Sequence, residues 1–113
     1  MVKAKYSITE VKKAVGQLSH MLENSGIKIS TIFLYGSYAK RTSKNYSDID
    51  VAIISADFRG KDRMAIQETI ANAIVGRSGA LSAIEPIGYS VDEFAVADAN
   101  TLLGEIKRTG RRL

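Results

Sequence analysis

Hydrophobic and polar residues recur along the chain with two different periods, which predict helices and strands in turn. Ser7 and Glu10 form a Ser-x-x-Glu capping box, and the apolar residues that follow recur every three or four positions as far as Gly26. This spacing is typical of an amphipathic helix. The same spacing or the same capping pattern predicts three further helices, at residues 62–75, from 90 onward and at 100–108.

Three other segments have the composition of strands. Thr31–Tyr35 and Asp48–Ile54 are short runs rich in β-branched residues, and a third run extends from Leu81 to Tyr89. The third run contains Pro86, the one proline of the chain. Proline has no backbone N–H, so this strand is predicted at a sheet edge or at a bulge. Alternating helices and strands predict an α/β (α+β) fold, a small mixed sheet with helices mainly on one face.

Length and composition indicate one folded unit. The chain has 113 residues, of which 45% are hydrophobic and 25% charged, and it contains no proline-rich or serine-rich linker. We therefore expect a single domain over residues 1–113. Its basic end, about 107–113, is predicted to be a solvated and partly frayed tail that carries Lys107, Arg108, Arg111 and Arg112.

The charge balance favours anionic partners without choosing among them. Sixteen Lys and Arg against twelve Asp and Glu give a formal net charge of +4, which suits nucleotides, RNA or acidic protein surfaces. There is no cysteine, no signal-peptide pattern and no apolar run of membrane-spanning length. A cytoplasmic protein without a membrane partner is the expectation.

The first predicted strand runs directly into Gly36 and Ser37, and residues 38–44 are predicted to begin a short helix. Such a turn directs backbone N–H groups and a helix N-terminus towards one point, where phosphate groups are favoured. Gly36 would let the backbone approach a ligand closely, and the Ser37 hydroxyl adds a donor. A Gly-Ser pair alone is equally typical of an ordinary turn.

Two aspartates begin the second predicted strand, with ten residues between Ser37 and the first of them. Side chains alternate in a strand, so Asp48 and Asp50 are predicted on one face, where their charges repel unless a cation lies between them. Mg²⁺ or Mn²⁺, which take oxygen ligands and bind phosphates, fit that requirement. An isolated Asp-x-Asp is more often a pair of surface residues.

The two motifs together resemble those of the minimal nucleotidyltransferases of the DNA polymerase beta-like superfamily. They are Leu34-Tyr35-Gly36-Ser37 and, after ten residues, Asp48-Ile49-Asp50-Val51. The order of helices and strands is similar as well. The resemblance implies a two-metal enzyme that transfers a nucleoside monophosphate, AMP from ATP in the expected case, to a hydroxyl acceptor. In that interpretation Asp48 and Asp50 bind the metal ions, and Gly36 and Ser37 hold the β- and γ-phosphates.

The resemblance also implies a third carboxylate, for which Glu85 is the candidate. It is the only acid inside the third predicted strand. The role would be to bind one metal ion and to help remove the acceptor proton. The family more often has aspartate here, and an exposed strand residue is the alternative interpretation.

Three further residues near the two motifs are candidates for nucleotide binding: Lys40, Arg41 and Ser47. Arg41 stands where the family usually has glycine. If the backbone there is left-handed, a side chain would cost about 1 kcal/mol. A solvated basic turn is the alternative interpretation of Lys40 and Arg41.

The chain has no room for the acceptor-binding domain of larger relatives, so the acceptor is expected on another protein. The resemblance implies a separately encoded helical HEPN-type toxin, with this chain as the antitoxin that adenylylates it, on a tyrosine in one reading. A catalytically weak or inactive module that binds a nucleotide or its partner by contact is the alternative. An RNA-binding module that uses the basic end is the least favoured.

Overall fold

The computed structural model describes residues 4–44 and 47–113, and its centre is a four-stranded mixed sheet. The strands lie in the order β3-β2-β1-β4. β2 pairs parallel with β3 and antiparallel with β1, and β1 pairs antiparallel with β4. The strand bounds are β1 Thr31–Tyr35, β2 Ile49–Ser55, β3 Ile84–Ser90 and β4 Arg111–Arg112.

The helices follow the predicted pattern, with capping boxes at Ser7 and Ser90 as expected. Their bounds are α1 Ile8–Asn24, α2 Gly36–Lys40, α3 Arg63–Ala73, α4 Val91–Ala95 and α5 Leu102–Thr109, with 3₁₀ turns at Ala56–Phe58 and Gly79–Ala83. Within residues 4–44 and 47–113, no helix combines the length and the apolar character that crossing a bilayer requires.

The two longest helices, α1 and α3, cover one face of the sheet. Leu18 and Leu22 of α1 and Ile66 and Ile70 of α3 are buried in the same cluster as Leu34 of β1. The β2 residues that face them are the alternate positions Ile49, Val51 and Ile53. This confirms the prediction of a mixed sheet with helices mainly on one face.

The opposite face is only partly covered. There α4 and α5 pack against a smaller cluster formed by Phe33, Ala52, Ile54, Tyr89, Leu103 and Ile106. Strand alternation puts Tyr35, Asp50 and Glu85 on this same face, at the end where β1 stops and β2 and β3 begin. Tyr35 and Asp50 are half-buried and Glu85 is exposed, so this end of the face is accessible.

β3 forms one edge of the sheet, as Pro86 predicted. Side chains from outside the sheet bind its outward backbone groups. Gln67 of α3 donates to the Pro86 carbonyl oxygen at 2.9 Å and accepts from the Gly88 N–H at 3.1 Å, and Arg77 donates to the Ile84 carbonyl oxygen at 3.1 Å. Exposed edges invite pairing with other chains, and these contacts block that pairing. The strand begins at Ile84 and not at Leu81, because a 3₁₀ turn takes up the preceding residues.

The basic end is part of the fold. Lys107 and Arg108 lie in the last turn of α5, and Arg111 and Arg112 pair with β1 as β4. The Arg112 guanidinium lies 5.4 Å from the centre of the Phe33 ring. Most of these side chains are exposed, as expected for a solvated end, but the backbone is helical and then paired instead of frayed. A two-residue strand has too few positions for its period to be read from the sequence.

Candidate functional site

Gly36 is held by two separate constraints at the start of α2. Its φ angle is +71°, in the left-handed region that side chains disfavour. A Cβ atom at this position would also collide with Oδ2 of Asp50 on β2. A glycine is therefore required here by the nearby carboxylate of the Asp-x-Asp motif. The predicted close approach of this glycine to a ligand stays a prediction.

α2 is a single turn that begins at Gly36, two residues before the predicted start. Its N-cap, Tyr35, makes no capping hydrogen bond through its side chain. Ser37 lies in the first turn and is half-buried. The first N–H groups of a helix have no partner within the helix, so those of α2 are left for solvent or a ligand.

Three carboxylates meet at the N-terminal ends of β2 and β3. Asp50 and Glu85 are direct neighbours in the parallel register, and Asp48 immediately precedes β2. All of them line one cleft of about 520 Å³. Burial raises the pKa of Asp50, and the charges of Asp48 and Glu85 raise it further. The repulsion expected for Asp48 and Asp50 is therefore present, and Glu85 contributes to it.

The donor chemistry of this cleft fits a hard divalent cation. Carboxylate oxygens are the ligands that Mg²⁺ and Mn²⁺ prefer, and a cation would offset the repulsion that Asp50 experiences. In residues 4–44 and 47–113, no group of three His, Cys, Asp or Glu side chains is placed to hold an ion. The three carboxylates of the cleft therefore do not yet converge on one point. The fit thus lies in the residue types and the shared charge, and binding would draw the carboxylates closer.

Tyr35 belongs to the same cleft and was not predicted. It pairs with Asp50 across β1 and β2. Burial first, and then the charge of Asp50, raises the pKa of its hydroxyl to about 12. The hydroxyl is therefore neutral at physiological pH and can donate a hydrogen bond. Its position directly before Gly36 was visible in the sequence, but its neighbour depends on the strand register.

Arg63 and Gln67 complete the cleft and were also missed. They lie one turn apart on α3 and reach across the outer edge of β3. The Arg63 guanidinium lies 4.6 Å from the centre of the Tyr89 ring and donates to the Gly88 carbonyl oxygen. No sequence signal distinguishes this arginine from other surface residues of an amphipathic helix.

The predicted nucleotide-binding residues all lie outside the described lining of the cleft: Gly36, Ser37, Lys40, Arg41 and Ser47. Lys40 is exposed, with its ammonium 3.8 Å from the Glu105 carboxylate. Ser47 accepts a hydrogen bond from the Lys44 N–H at 2.8 Å, which stabilises the turn before β2. Arg41 has φ 60° and ψ 32°, the left-handed conformation considered for it, and is the one non-glycine residue with positive φ in the described part of the chain.

A glycine turn packed against paired aspartates at the end of a mixed sheet is the arrangement that the sequence motifs predicted. Residues 16–111 match the family described as "Polymerase beta, Nucleotidyltransferase". Because the match covers most of the chain, the protein belongs to this nucleotidyltransferase family. The resemblance inferred from the two motifs is thereby confirmed.

Two solved structures share the fold. The first is a protein from Sulfolobus solfataricus that is provisionally assigned as a nucleotidyltransferase. It is 16% identical to this chain with a TM-score of 0.57, and the match covers 72% of this chain and 68% of the Sulfolobus chain. A chain from a toxin–antitoxin complex with AMP-PNP is 24% identical with a TM-score of 0.57, covering 88% of this chain and 69% of its own. No curated protein matches. At these identities the two structures support the fold and not a shared activity.

Proposed function

We propose that the protein is a Mg²⁺- or Mn²⁺-dependent adenylyltransferase that moves AMP from ATP to a hydroxyl group. One observation carries the proposal. Gly36, in the phosphate-binding turn, is packed so closely on Asp50 that no side chain fits between them, and Asp50 is next to Glu85 in the sheet. The groups that would bind phosphates and those that would bind cations are therefore in contact, as phosphoryl chemistry requires.

Asp48, Asp50 and Glu85 would bind the divalent ions, whose charge draws electron density from the α-phosphate and makes the acceptor oxygen more nucleophilic. The acceptor oxygen forms a bond to the α-phosphorus while the bond to the bridging oxygen breaks in line and pyrophosphate leaves. The acceptor proton would pass to a carboxylate, for which Glu85 is the candidate because it is exposed and lies on β3, the strand farther from the Gly36 turn.

ATP would be held from the β1 side of this cluster. The N–H of Gly36 and the hydroxyl of Ser37 donate to the β- and γ-phosphates, and Lys40, Arg41 and Ser47 contribute from the connection that follows. Lys40 would have to leave Glu105. This exposed pair is 3.8 Å long, and such pairs contribute less than about 1 kcal/mol, so the exchange is easy.

The acceptor would be a tyrosine hydroxyl on a separately encoded helical toxin of the HEPN type, in the cytoplasm where ATP is available. The structural likeness to a chain from a toxin–antitoxin complex with AMP-PNP supports this choice. The protein would then act as an antitoxin that inactivates its partner by adenylylation. Uptake of label on the partner tests this directly.

The experiment combines purified protein, Mg²⁺, ATP labelled at the α-phosphate and the protein encoded beside it. We expect label on the partner with the wild-type chain, and none with Asp48→Asn or Asp50→Asn. Asp92→Asn is the matched control, because Asp92 is an exposed aspartate that pairs with Arg59 outside the cleft. If the wild-type chain transfers no label, the proposal is wrong.

A second candidate is a module that binds a nucleotide or its partner without catalysis. The observation that favours it is that the described carboxylates are not drawn together around an ion, with Glu85 in place of the usual aspartate. This candidate predicts that Asp50→Asn still neutralises the partner in cells. The transferase predicts that neutralisation and labelling are lost together.

A further inference from the structure

We propose that Arg63 is an acceptor-binding residue, and that the acceptor is a protein segment in which the reacting hydroxyl lies next to a carboxylate. The proposal rests on the transfer reaction proposed above. It concerns the β3 side of the cleft, for which neither the sequence motifs nor the related structures indicate what binds there.

The position of Arg63 relative to the two motifs is the first argument. The phosphate-binding turn follows β1, whereas Arg63 reaches across the outer edge of β3, and the strand order β3-β2-β1 puts the carboxylates between them. In-line displacement requires the acceptor to arrive opposite the leaving pyrophosphate. The acceptor therefore enters from the β3 side, where Arg63 lies.

The guanidinium of Arg63 is fixed and still partly available. It stacks on Tyr89, donates to the Gly88 carbonyl oxygen and has 48% of its side chain exposed. Its ion pair with Glu93 is long, at 3.9 Å, and the other oxygen of that carboxylate accepts from the Ser90 N–H. An arginine has five N–H donors, and one held in place loses little entropy when it binds a carboxylate.

The number of cations indicates the class of acceptor. Among the described residues that line the cleft, Arg63 is the only cation. A nucleic acid would bring several phosphates and would need a row of basic side chains. One fixed guanidinium matches one carboxylate, which favours an acidic protein segment.

Arg77 provides a matched control for the structural role of Arg63. Both arginines donate to carbonyl oxygens of β3, Arg63 to Gly88 and Arg77 to Ile84. Only Arg63 is among the described lining residues of the cleft. A purely structural role predicts similar effects for the two substitutions, and an acceptor-binding role predicts an effect for Arg63 alone.

The test uses Mg²⁺, α-labelled ATP and three acceptors: a Glu-Tyr copolymer, a Lys-Tyr copolymer and an RNA with a free 3′-hydroxyl. We expect the wild-type chain to label the Glu-Tyr copolymer about tenfold more efficiently than the Lys-Tyr copolymer. Arg63→Ala should raise KM for the Glu-Tyr copolymer about tenfold and leave KM for ATP unchanged. Arg77→Ala should change neither constant, and Arg63→Glu should reverse the preference between the copolymers.

The outcomes separate the two proposals. Four results would each overturn the acceptor assignment and leave the transferase proposal standing. They are equal use of the two copolymers, an unchanged KM in Arg63→Ala, preferential labelling of RNA, and release of labelled AMP to water alone. Absence of any labelled product from the wild-type chain overturns both. Thermal melting of each variant monitors folding, and Arg63→Lys, which keeps the charge, should restore part of the preference.

Discussion

At the scale of single residues, the site depends on positions where the backbone adopts conformations that side chains disfavour. Gly36 and Arg41 bracket α2, both with positive φ. The sequence motif identified both positions and the reason for a glycine at 36. It could not show that Gly36 packs on Asp50, because that contact joins the start of α2 to β2. The same limit explains why Tyr35 was missed.

Gly36→Ala is expected to be more destabilising than its conformational angle alone implies. Gly60 provides the control, because its φ is +73° and nothing lies within 4 Å of a Cβ added there. Gly60→Ala should cost about 1 kcal/mol in the free energy of unfolding, and Gly36→Ala about 1–3 kcal/mol more, for the collision with Asp50. Urea denaturation measures both values. Equal costs would contradict the close packing.

Arg41→Gly is expected to stabilise the fold and weaken nucleotide binding. Relief of the left-handed conformation at φ 60° should raise the free energy of unfolding by about 1 kcal/mol. Loss of the guanidinium should raise the Kd for Mg²⁺–ATP, measured by calorimetry. Arg41→Ala keeps the strain and removes the charge, so it should weaken binding without stabilising the protein. Unchanged binding in both variants would leave Arg41 as a solvated turn residue.

The raised pKa of Asp50 predicts how the stability of the metal-free protein depends on pH. In the unfolded chain this carboxyl titrates near 3.8, and in the folded protein its pKa is higher. The folded state therefore holds the proton more tightly, and stability is lost as pH rises from the unfolded towards the folded pKa. Asp50→Asn removes this loss. The free energy of unfolding of the variant should therefore equal that of the wild type below the unfolded pKa and exceed it at neutral pH.

Chemical denaturation of both proteins across pH 3–7 checks this expectation. The difference should stay below about 1 kcal/mol, because solvent screens a partly exposed carboxylate. If Asp50→Asn were less stable than the wild type at neutral pH, the Asp50 carboxylate would have a favourable partner. That result would contradict the unfavourable surroundings that raise its pKa.

At the scale of helices and strands, prediction succeeded where a period is long enough to be read. β1 has the predicted bounds, and β2 begins one residue later than predicted. β4 was missed because two residues have no period, and its pairing with β1 depends on the course of α5. The start of β3 was misplaced because Leu81 is apolar and buried in a 3₁₀ turn as readily as in a strand.

Gln67→Ala tests how the edge of β3 is protected. The substitution leaves the Pro86 carbonyl oxygen and the Gly88 N–H without their side-chain partner. Unsatisfied groups of this kind cost about 1–3 kcal/mol, so the free energy of unfolding should fall by that amount and aggregation near the melting temperature should increase. Gln17→Ala, at an exposed position on α1, is the control. Equal stability of the two variants would show that water replaces Gln67.

At the scale of the whole molecule, one face of the sheet carries most of the core, and the uncovered end of the other face carries the candidate site. The sequence predicted the two motifs because each lies within a few residues. It could not predict the third wall of the cleft, since Arg63 and Gln67 line the cleft only through the packing of α3 beside β3. Contacts between distant segments follow from topology, which local patterns do not specify.

This arrangement predicts that cation and nucleotide stabilise the protein cooperatively. The turn proposed to bind phosphates and the carboxylates belong to different elements but touch through Gly36 and Asp50. Mg²⁺ alone or the non-hydrolysable analogue AMP-PNP alone should therefore shift the melting temperature little. Together, at a hundredfold excess over Kd, they should stabilise the folded protein by about 2.7 kcal/mol.

Two variants test this joint effect of Mg²⁺ and AMP-PNP. Asp50→Asn should abolish it, whereas Arg63→Ala should keep it, because Arg63 lies on the proposed acceptor side. Additive effects of Mg²⁺ and AMP-PNP in the wild-type chain would mean that the two bind independently, and would contradict the proposed shared site.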